Sequence, residues 1–189
     1  MYLFFDTETT GLPRNWKAPV TDLNNWPRMI QVAWILCDTE GNRIESYDCI
    51  IKPEKFSIPI ESSRVHGIST AKAINEGKSL EKTLVKFNKL VEKSNFIVAH
   101  NISFDEKIIG AEFLRKKIKS DFGQKRKLCT MQSSTNYCKI TGHYGYKWPK
   151  LSELHIKLFG VDFDGAHDAS ADIHATAKCF WEMRKKRLI

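Results

Sequence analysis

Apolar and polar positions near the start of the chain predict three consecutive strands. Residues 2–5 form an apolar run, 29–37 are rich in β-branched and aromatic side chains, and 43–52 alternate apolar with polar positions. The stretch DTEGN at 38–42 has the composition of a hairpin turn. Strands that follow one another closely along the chain predict an antiparallel meander.

Beyond Pro59 the apolar period lengthens from two to about 3.6 residues, which is typical of amphipathic helices. A short helical patch is predicted at 70–75, ahead of Gly77. The clearest pattern predicts a helix over 79–93 with Ser79 as its N-cap. Its apolar face is formed by Leu80, Leu84, Phe87 and Val91.

Strand and helix patterns then alternate along the rest of the chain. The run FIVA at 96–99 predicts a short buried strand, and SFDE at 103–106 has capping-box spacing, so a helix is expected to begin at Ser103. The expected apolar side of that helix is Phe104, Ile108, Ala111 and Leu114. A last strand is predicted at 125–128, with helices at 129–138, 151–159 and 169–186. Strands followed by strand–helix alternation indicate an α/β fold, in which a mixed sheet carries helices on its faces.

Two carboxylates stand where the first strand is expected to end. In an extended strand, residues i and i+2 project from one face, so Asp6 and Glu8 are expected side by side with Thr7 on the other face. Gly11 and Pro13 then break the strand. Adjacent carboxylates repel each other unless a cation joins them, and hard divalent cations prefer oxygen ligands. A metal site is one interpretation, and an ordinary solvated acidic turn is the other.

Two further carboxylates are expected in the first turns of helices. Asp105 follows the short strand at 96–99, and Asp172 follows His167 in the string HDASAD. The helix dipole favours a carboxylate in this position, so Asp105, Asp168 and Asp172 each have a purely structural explanation. His167 taken alone is equally consistent with a histidine in a surface loop.

Taken together, DTETTG, HNISFD and HDASADIHATAKCF, in this order and at this spacing, resemble the DnaQ-like, or DEDDh, family of 3′→5′ exonucleases. The resemblance extends over 2–180, and VHGI at 65–68 and KLSEL at 150–154 also fit members of the family. It implies a ribonuclease H-like fold, in which helices flank a five-stranded mixed sheet made of an antiparallel meander plus parallel strands. It also implies metal-dependent hydrolysis at nucleic-acid 3′ ends that releases nucleoside 5′-monophosphates.

The resemblance gives each candidate residue a role. The metal-binding carboxylates of the family correspond to Asp6, Glu8, Asp105 and Asp172, and its general base corresponds to His167. Two Mg²⁺ or Mn²⁺ ions per active site are implied. Histidine is suited to the role of base because its unperturbed pKa, about 6.5, lies near neutral pH.

Substrate contacts are implied around the same motifs. They are Thr9, Gly11, Leu12, His66, Asn101 and Phe104, with Leu12 as an apolar wedge against the last bases. His100, in the second motif, is expected to be a structural hydrogen-bonding residue. The loop over 12–28 is long for a compact domain. Its Trp16 and Trp26 either pack the loop down or touch substrate, and packing is favoured.

The charge of the chain favours a nucleic-acid partner. The formal net charge is +8, which suits an acidic partner without naming one. Basic residues are concentrated at 115–119, 125–127 and 184–187. They either track a phosphate backbone towards the metals or belong to a solvated surface.

Size, cysteine usage and hydropathy predict a single cytoplasmic domain. The 189 residues, 42% of them hydrophobic, predict one exonuclease domain over 1–189 with no additional module. Five cysteines without a CxxC pair predict neither a zinc site nor a disulfide scaffold, and they fit the reducing cytoplasm. No signal peptide is visible, and no apolar run is long enough to cross a membrane.

Two other functions stay open on the sequence. A ribonuclease that trims RNA 3′ ends or oligoribonucleotides is an alternative to a DNA exonuclease, because discrimination depends on 2′-hydroxyl contacts that no motif displays. A catalytically inactive nucleic-acid-binding module would have lost one of the five catalytic positions, and all five are present. The expected partner is a single-stranded or frayed 3′ end. A DNA polymerase partner and the oligomeric state are left open.

Overall fold

The computed structural model describes residues 1–189, in which a five-stranded sheet and a two-stranded hairpin are surrounded by helices. The sheet consists of β1 (Tyr2–Thr9), β2 (Met29–Cys37), β3 (Arg43–Ile50), β4 (Phe96–Ala99) and β5 (Arg126–Cys129). The α-helices are α1 (Ile60–His66), α2 (Thr70–Glu76), α3 (Leu80–Lys93), α4 (Ile102–Arg115), α5 (Thr130–Cys138), α6 (Leu151–Phe159) and α7 (Ala169–Lys185). The hairpin consists of β6 (Thr141–Gly142) and β7 (Gly145–Tyr146).

The strands of the large sheet are ordered β3-β2-β1-β4-β5. β1, β2 and β3 form an antiparallel meander, in which Glu8 lies opposite Gln31 and Gln31 lies opposite Ile50. β4 is parallel to β1, and β5 is parallel to β4. The predicted mixed sheet, a meander plus parallel strands, is therefore confirmed. Because β1, β4 and β5 run the same way, their last residues meet at one end of the sheet, which we call the carboxyl end.

Alternation along β1 divides its side chains between two hydrophobic clusters. Leu3 and Phe5 belong to a cluster that includes residues of α3 and α4. Tyr2 and Phe4 belong to a cluster that includes residues of α7. Burying a phenylalanine side chain contributes about 1.5–3 kcal/mol, so this division fixes which helices cover each face of the central strand.

Helix α4 differs from its prediction in two respects. It begins one residue earlier, after Asn101 in a left-handed conformation with φ of +67°, and it has no side-chain cap. The predicted capping box is wrong, because the Ser103 hydroxyl donates to the Asn101 side chain (3.1 Å) instead. Leu114, predicted to be on the apolar side, is exposed, whereas Ile109 and Phe113 are buried. The buried face is shifted because α4 packs on part of the 12–28 loop as well as on the sheet.

A buried charged group fixes the 12–28 loop onto α4. The Glu112 carboxylate is fully buried and accepts a hydrogen bond from Arg28 Nε (2.9 Å). Arg115, one turn later, donates to the carbonyl oxygens of Leu23 (2.6 Å) and Trp26 (2.7 Å). Trp26 is itself buried, so the packing role predicted for it is confirmed. The loop therefore has a fixed position beside the helix that carries Asp105.

Helix α1 and the β6–β7 hairpin were not predicted. Helix α1 buries none of its residues, so it has no apolar face for the sequence to reveal. The N-cap predicted for α3 is confirmed, because the Ser79 side chain accepts a hydrogen bond from the Lys82 N–H. No helix combines the length and apolar character needed to cross a membrane.

Candidate active site

Asp6 and Glu8 lie on the part of β1 that extends beyond β4. β4 pairs only with residues 2–4 of β1, so the end of β1 has no strand neighbour on that side. By alternation, Asp6 and Glu8 share the face of Tyr2 and Phe4, which is the face covered by α7. Both carboxylates are half-buried. The carboxyl end of the sheet thus presents two acidic side chains to the layer that contains α7.

Asp105 is held against β1 from the other layer. It lies in the first turn of α4 and is buried. Its Oδ1 accepts hydrogen bonds from the Thr7 hydroxyl (2.7 Å) and the Thr7 backbone N–H (3.2 Å). Thr7 stands between Asp6 and Glu8 and, as predicted, projects from the opposite face. Thr7 therefore places a third carboxylate beside the pair.

The start of α7 brings in His167 and Asp172. His167 has a left-handed φ of +69°, and its backbone N–H donates to Asp172 Oδ2 (3.1 Å). Asp168 is the N-cap and accepts a hydrogen bond from the Ser170 N–H (2.9 Å). Potential ligand atoms of Glu8, His167 and Asp172 all lie within 4.8 Å of one another. Together with Asp105 of α4, which is hydrogen-bonded to Thr7 of β1, three segments distant in sequence therefore meet at one site.

Gln31 is a residue of this site that the sequence reasoning missed. It is buried on β2, directly opposite Glu8. Its Nε2 donates to Asp168 Oδ1 (2.9 Å), and its Oε1 accepts from the Ala169 N–H (3.3 Å). Both ends of the amide thus tie the start of α7 to the sheet and set the position of His167. The available signal was a single polar residue within the otherwise apolar run MIQVAWILC.

The pKa values of all four carboxylates are raised. Burial is the main cause, and it raises the pKa of Glu8 to about 8, that of Asp105 to about 7 and that of Asp172 to about 6. Burial, followed by the charges of the neighbouring carboxylates, raises the pKa of Asp6 well above its usual range. No lysine or arginine forms an ion pair with any of the four. A partly buried group of oxygen ligands without a basic partner fits divalent cations such as Mg²⁺ or Mn²⁺.

The raised pKa values predict that the metal-free protein loses stability as the pH rises from about 4 to about 8. Below the unfolded-state pKa values, both states hold the protons and the carboxylates make no pH-dependent contribution. At higher pH the unfolded chain releases protons that the folded state retains, so the free energy of unfolding falls. The melting temperature in EDTA should drop by about 2–4 °C for each kcal/mol of stability that is removed. A melting temperature that stays constant or rises over this interval would contradict the electrostatic description.

The residues expected to contact substrate lie in three segments near the acidic group. Thr9 ends β1 and is followed closely by Gly11 and Leu12, His66 ends α1, and Asn101 and Phe104 are at the start of α4. The Thr9 hydroxyl donates to the Gly11 carbonyl (2.6 Å), which closes a turn at the end of β1. A Cβ on Gly11 would lie 3.7 Å from Ser62 Oγ, so α1 borders this turn. Leu12 is 72% exposed and so is available to a ligand.

Aromatic and histidine side chains complete the surroundings of the acidic group. His66 Nδ1 accepts a hydrogen bond from the Ile68 N–H (3.1 Å), and its Nε2 is buried. Phe104 lies against Trp16, with ring centroids 5.7 Å apart. Trp16 is exposed, unlike Trp26, so the packing interpretation of the two tryptophans holds only for Trp26.

His100 has the structural role expected of it. Its Nε2–H donates to the Pro149 carbonyl (3.1 Å), and its Nδ1 is hydrogen-bonded to the Thr130 hydroxyl (2.9 Å). Burial lowers the pKa of His100 to about 4. The ring is therefore neutral at physiological pH and links the end of β4 to two other segments.

The basic residues at 125–127 lie away from the acidic group. They lie at or just before the amino end of β5, where Arg126 pairs with Phe96 at the start of β4. Lys125 forms an ion pair with Asp121 (3.0 Å), and Lys127 forms one with Glu106 (3.3 Å). The structure thus favours a partly neutralised surface over a track towards the acidic group.

Replacing Lys125, Arg126 and Lys127 by alanine should therefore leave the salt dependence of single-strand binding unchanged. If a replaced residue did bind a phosphate, its removal would flatten the slope of log K against log salt by about 0.7. Fluorescence anisotropy at several salt concentrations measures this slope. A slope flattened by one to two units in the triple variant would restore the interpretation of these residues as a backbone track.

Comparison with known proteins identifies the family and the relatives of this chain. The sequence model of the exonuclease family RNase_T matches residues 3–180. DNA polymerase III subunit epsilon of Treponema pallidum (strain Nichols) is 26% identical over 188 residues, which cover 95% of this chain and 74% of that protein. DNA polymerase III PolC-type of Streptococcus pyogenes serotype M2 (strain MGAS10270) is 29% identical over 177 residues, which cover 94% of this chain and 11% of that protein.

Solved structures show the same fold. Exonuclease I of E. coli in complex with a dA16 oligonucleotide matches with a TM-score of 0.75 at 22% identity, over 99% of this chain and 42% of that chain. Its complex with a dT13 oligonucleotide matches with a TM-score of 0.76 at 22% identity, over the same shares of the two chains. This chain spans less than half of exonuclease I, and the likeness confirms the ribonuclease H-like fold. Because the family model covers nearly all of it, the chain belongs to the RNase_T exonuclease family, as its resemblance to DnaQ-like exonucleases predicted.

Proposed function

We propose that this exonuclease is metal-dependent, acts in the 3′→5′ direction on DNA and releases nucleoside 5′-monophosphates. The observation that carries the proposal is the meeting of four carboxylates without a basic partner and one histidine at the carboxyl end of the sheet. These five residues came from three separate motifs, and each alone had a structural explanation. Their convergence is difficult to explain as a set of helix-start residues, because it concentrates negative charge at a cost to stability.

Asp6, Glu8, Asp105 and Asp172 would hold two Mg²⁺ or Mn²⁺ ions. When bound, such ions supply Lewis-acid stabilisation of the charge that develops on the phosphate and on the leaving 3′ oxygen. Thr7 orients Asp105 through two hydrogen bonds, and Gln31 orients the segment that carries His167 and Asp172. These two residues hold the ligands in place before substrate arrives, which reduces the cost of assembling the site.

His167 would act as the general base. Its side chain is exposed, and a ring nitrogen lies within 4.8 Å of carboxylate oxygens of Glu8 and Asp172. A water molecule between the histidine and the phosphate would lose its proton to the imidazole as it attacks phosphorus. The bond from phosphorus to the 3′ oxygen of the preceding nucleotide would break, and the terminal nucleotide would leave as its 5′-monophosphate. The 3′ oxygen would stay on the shortened strand and take up a proton from solvent to become its new 3′ hydroxyl.

The terminal nucleotide would lie between the turn after β1 and the starts of two helices. Leu12, which is exposed, would wedge against the last bases, and the Thr9–Gly11 turn would hold the sugar and phosphate. His66, Asn101 and Phe104 would supply the remaining contacts.

The names of the relatives support DNA as the substrate. Two are subunits or forms of DNA polymerase III, and exonuclease I was solved with deoxyoligonucleotides. A DNA polymerase is accordingly a candidate partner. The alternative substrate is RNA, and the alternative of an inactive binding module is disfavoured because all five catalytic positions are occupied by functional residue types.

Matched DNA and RNA oligonucleotides, labelled at the 5′ end, test the proposal. With Mg²⁺, the DNA strand should shorten one nucleotide at a time from a free 3′ hydroxyl, and EDTA or a 3′ block should stop the reaction. Faster shortening of the RNA strand would replace DNA by RNA as the substrate. Labelled mononucleotide as the first product would show that the enzyme degrades from the 5′ end. Cleavage in EDTA would contradict metal dependence.

A further inference from the structure

An exposed aromatic segment lies outside the site described so far. It comprises residues 141–148, which we call the aromatic hairpin because it contains β6 and β7. Tyr144 is fully exposed, Tyr146 is 50% exposed and Trp148 is 61% exposed. At least half of each of these residues is left open to solvent, although burying a large aromatic side chain is normally favourable. Rings left uncovered in this way indicate a binding surface.

The aromatic hairpin is held in place at both ends. Its strands are closed by the pair Gly142 and Gly145, and the Lys147 N–H donates to the Ile140 carbonyl (2.9 Å). The Lys147 ammonium forms an ion pair with Glu153 of α6 (2.6 Å). The exposed rings are therefore displayed on a structured element, so less conformational entropy is lost when they bind.

The aromatic hairpin is attached to the carboxyl end of the sheet. The buried Pro149, which directly follows Trp148, accepts a hydrogen bond from His100 (3.1 Å). His100 is the first residue after β4 and lies five residues before Asp105. The hairpin thus ends close to the same end of the sheet as the acidic group.

The charge of this segment indicates what would cover the rings. The stretch KITGHYGYKWPK at 139–150 contains three lysines and no acidic residue. Lys139 and Lys150 are exposed and flank the hairpin without an ion pair. Aromatic rings interleaved with lysines match a single-stranded nucleic acid, because bases stack on the rings while ammonium groups meet the phosphates.

We propose that the aromatic hairpin binds the bases of the single strand upstream of the 3′ end, with Tyr144 and Trp148 as stacking surfaces. This inference rests on the proposed exonuclease function and adds a strand-holding surface to it. Bases stack without regard to sequence, so the hairpin would hold any strand while its 3′ end is trimmed.

Binding measured in EDTA tests this inference without turnover. Tyr144→Ala and Trp148→Ala should each weaken binding of a fluorescent single-stranded DNA by roughly 5–150-fold, the loss expected for one base–aromatic stack. Tyr144→Phe retains a stacking ring and should bind like wild type. Ile44→Ala removes an exposed apolar side chain at the other end of the sheet and should also bind like wild type.

A strand with abasic sites upstream of its 3′ end isolates the contribution of the bases. Wild-type protein should bind it about as weakly as the alanine variants bind the intact strand, and the variants should lose little more. Equal losses on intact and abasic strands, or variants that bind the intact strand like wild type, would overturn the inference. Size-exclusion chromatography measures the oligomeric state of the same variants. Loss of a dimer with unchanged strand affinity would also contradict the inference. Because the measurement needs no cleavage, its failure is distinct from failure of the exonuclease assay.

Discussion

Replacing His167 by alanine should lower kcat by about 10²–10⁴-fold, the usual contribution of general-base catalysis. The proposed base is lost, whereas Asp6, Glu8, Asp105 and Asp172 remain to bind cations. Single-turnover rates on a 5′-labelled strand measure the loss, and Mn²⁺ titration of the same variant should give an affinity close to that of wild type. Added imidazole should restore part of the rate, because the space left by the side chain is open to solvent.

Asp172→Asn is the matched comparison for this prediction. It should reduce both turnover and Mn²⁺ affinity, because it removes a proposed ligand and not a proton acceptor. The contrast between the two variants separates catalysis from metal binding. Wild-type turnover in His167→Ala would assign the role of base to another group, even if the protein remained a metal-dependent exonuclease.

Divalent cations should raise the melting temperature of the protein by about 5–10 °C at 100 times their Kd. A ligand at that excess stabilises the folded state by about 2.7 kcal/mol, and each kcal/mol corresponds to about 2–4 °C in a chain of this size. Asp6→Asn should remove most of this rise. The same substitution should raise the melting temperature in EDTA, because it deletes one of four mutually repelling carboxylates.

Asp162→Asn serves as the control for the thermal experiment. Asp162 is exposed and lies outside the acidic group, so its substitution should change neither the metal-free melting temperature nor the cation response. A full cation response in Asp6→Asn would place the ions elsewhere in the protein.

Much of the fold could be predicted from local sequence patterns. The bounds of β2 and α6 and the start of α3 follow from apolar periodicity, because each buries one continuous face or run. The start of α4 was misplaced because Asn101 adopts a left-handed conformation, which a spacing rule for capping boxes does not anticipate. Helix α1 escaped prediction because it has no buried face.

The candidate site could be predicted only through its carboxylates and histidine. Their residue types and order along the chain carry the chemistry, so the motifs were sufficient to name them. Gln31 could not be assigned in this way, because its partners Asp168 and Ala169 are far away in sequence and meet it only in the folded sheet. The aromatic hairpin was equally invisible, since strands of two residues produce no periodicity.

Anomalous diffraction from crystals grown with Mn²⁺ and a deoxynucleoside 5′-monophosphate would locate the bound cations. We expect Asp6, Glu8, Asp105 and Asp172 to form the cation site of the enzyme, and this expectation can be checked in one map. It predicts anomalous peaks at these four carboxylates, with the nucleotide phosphate beside them and His167 facing the phosphate. Manganese bound only at other carboxylates, with no peak at the end of β1, would contradict it.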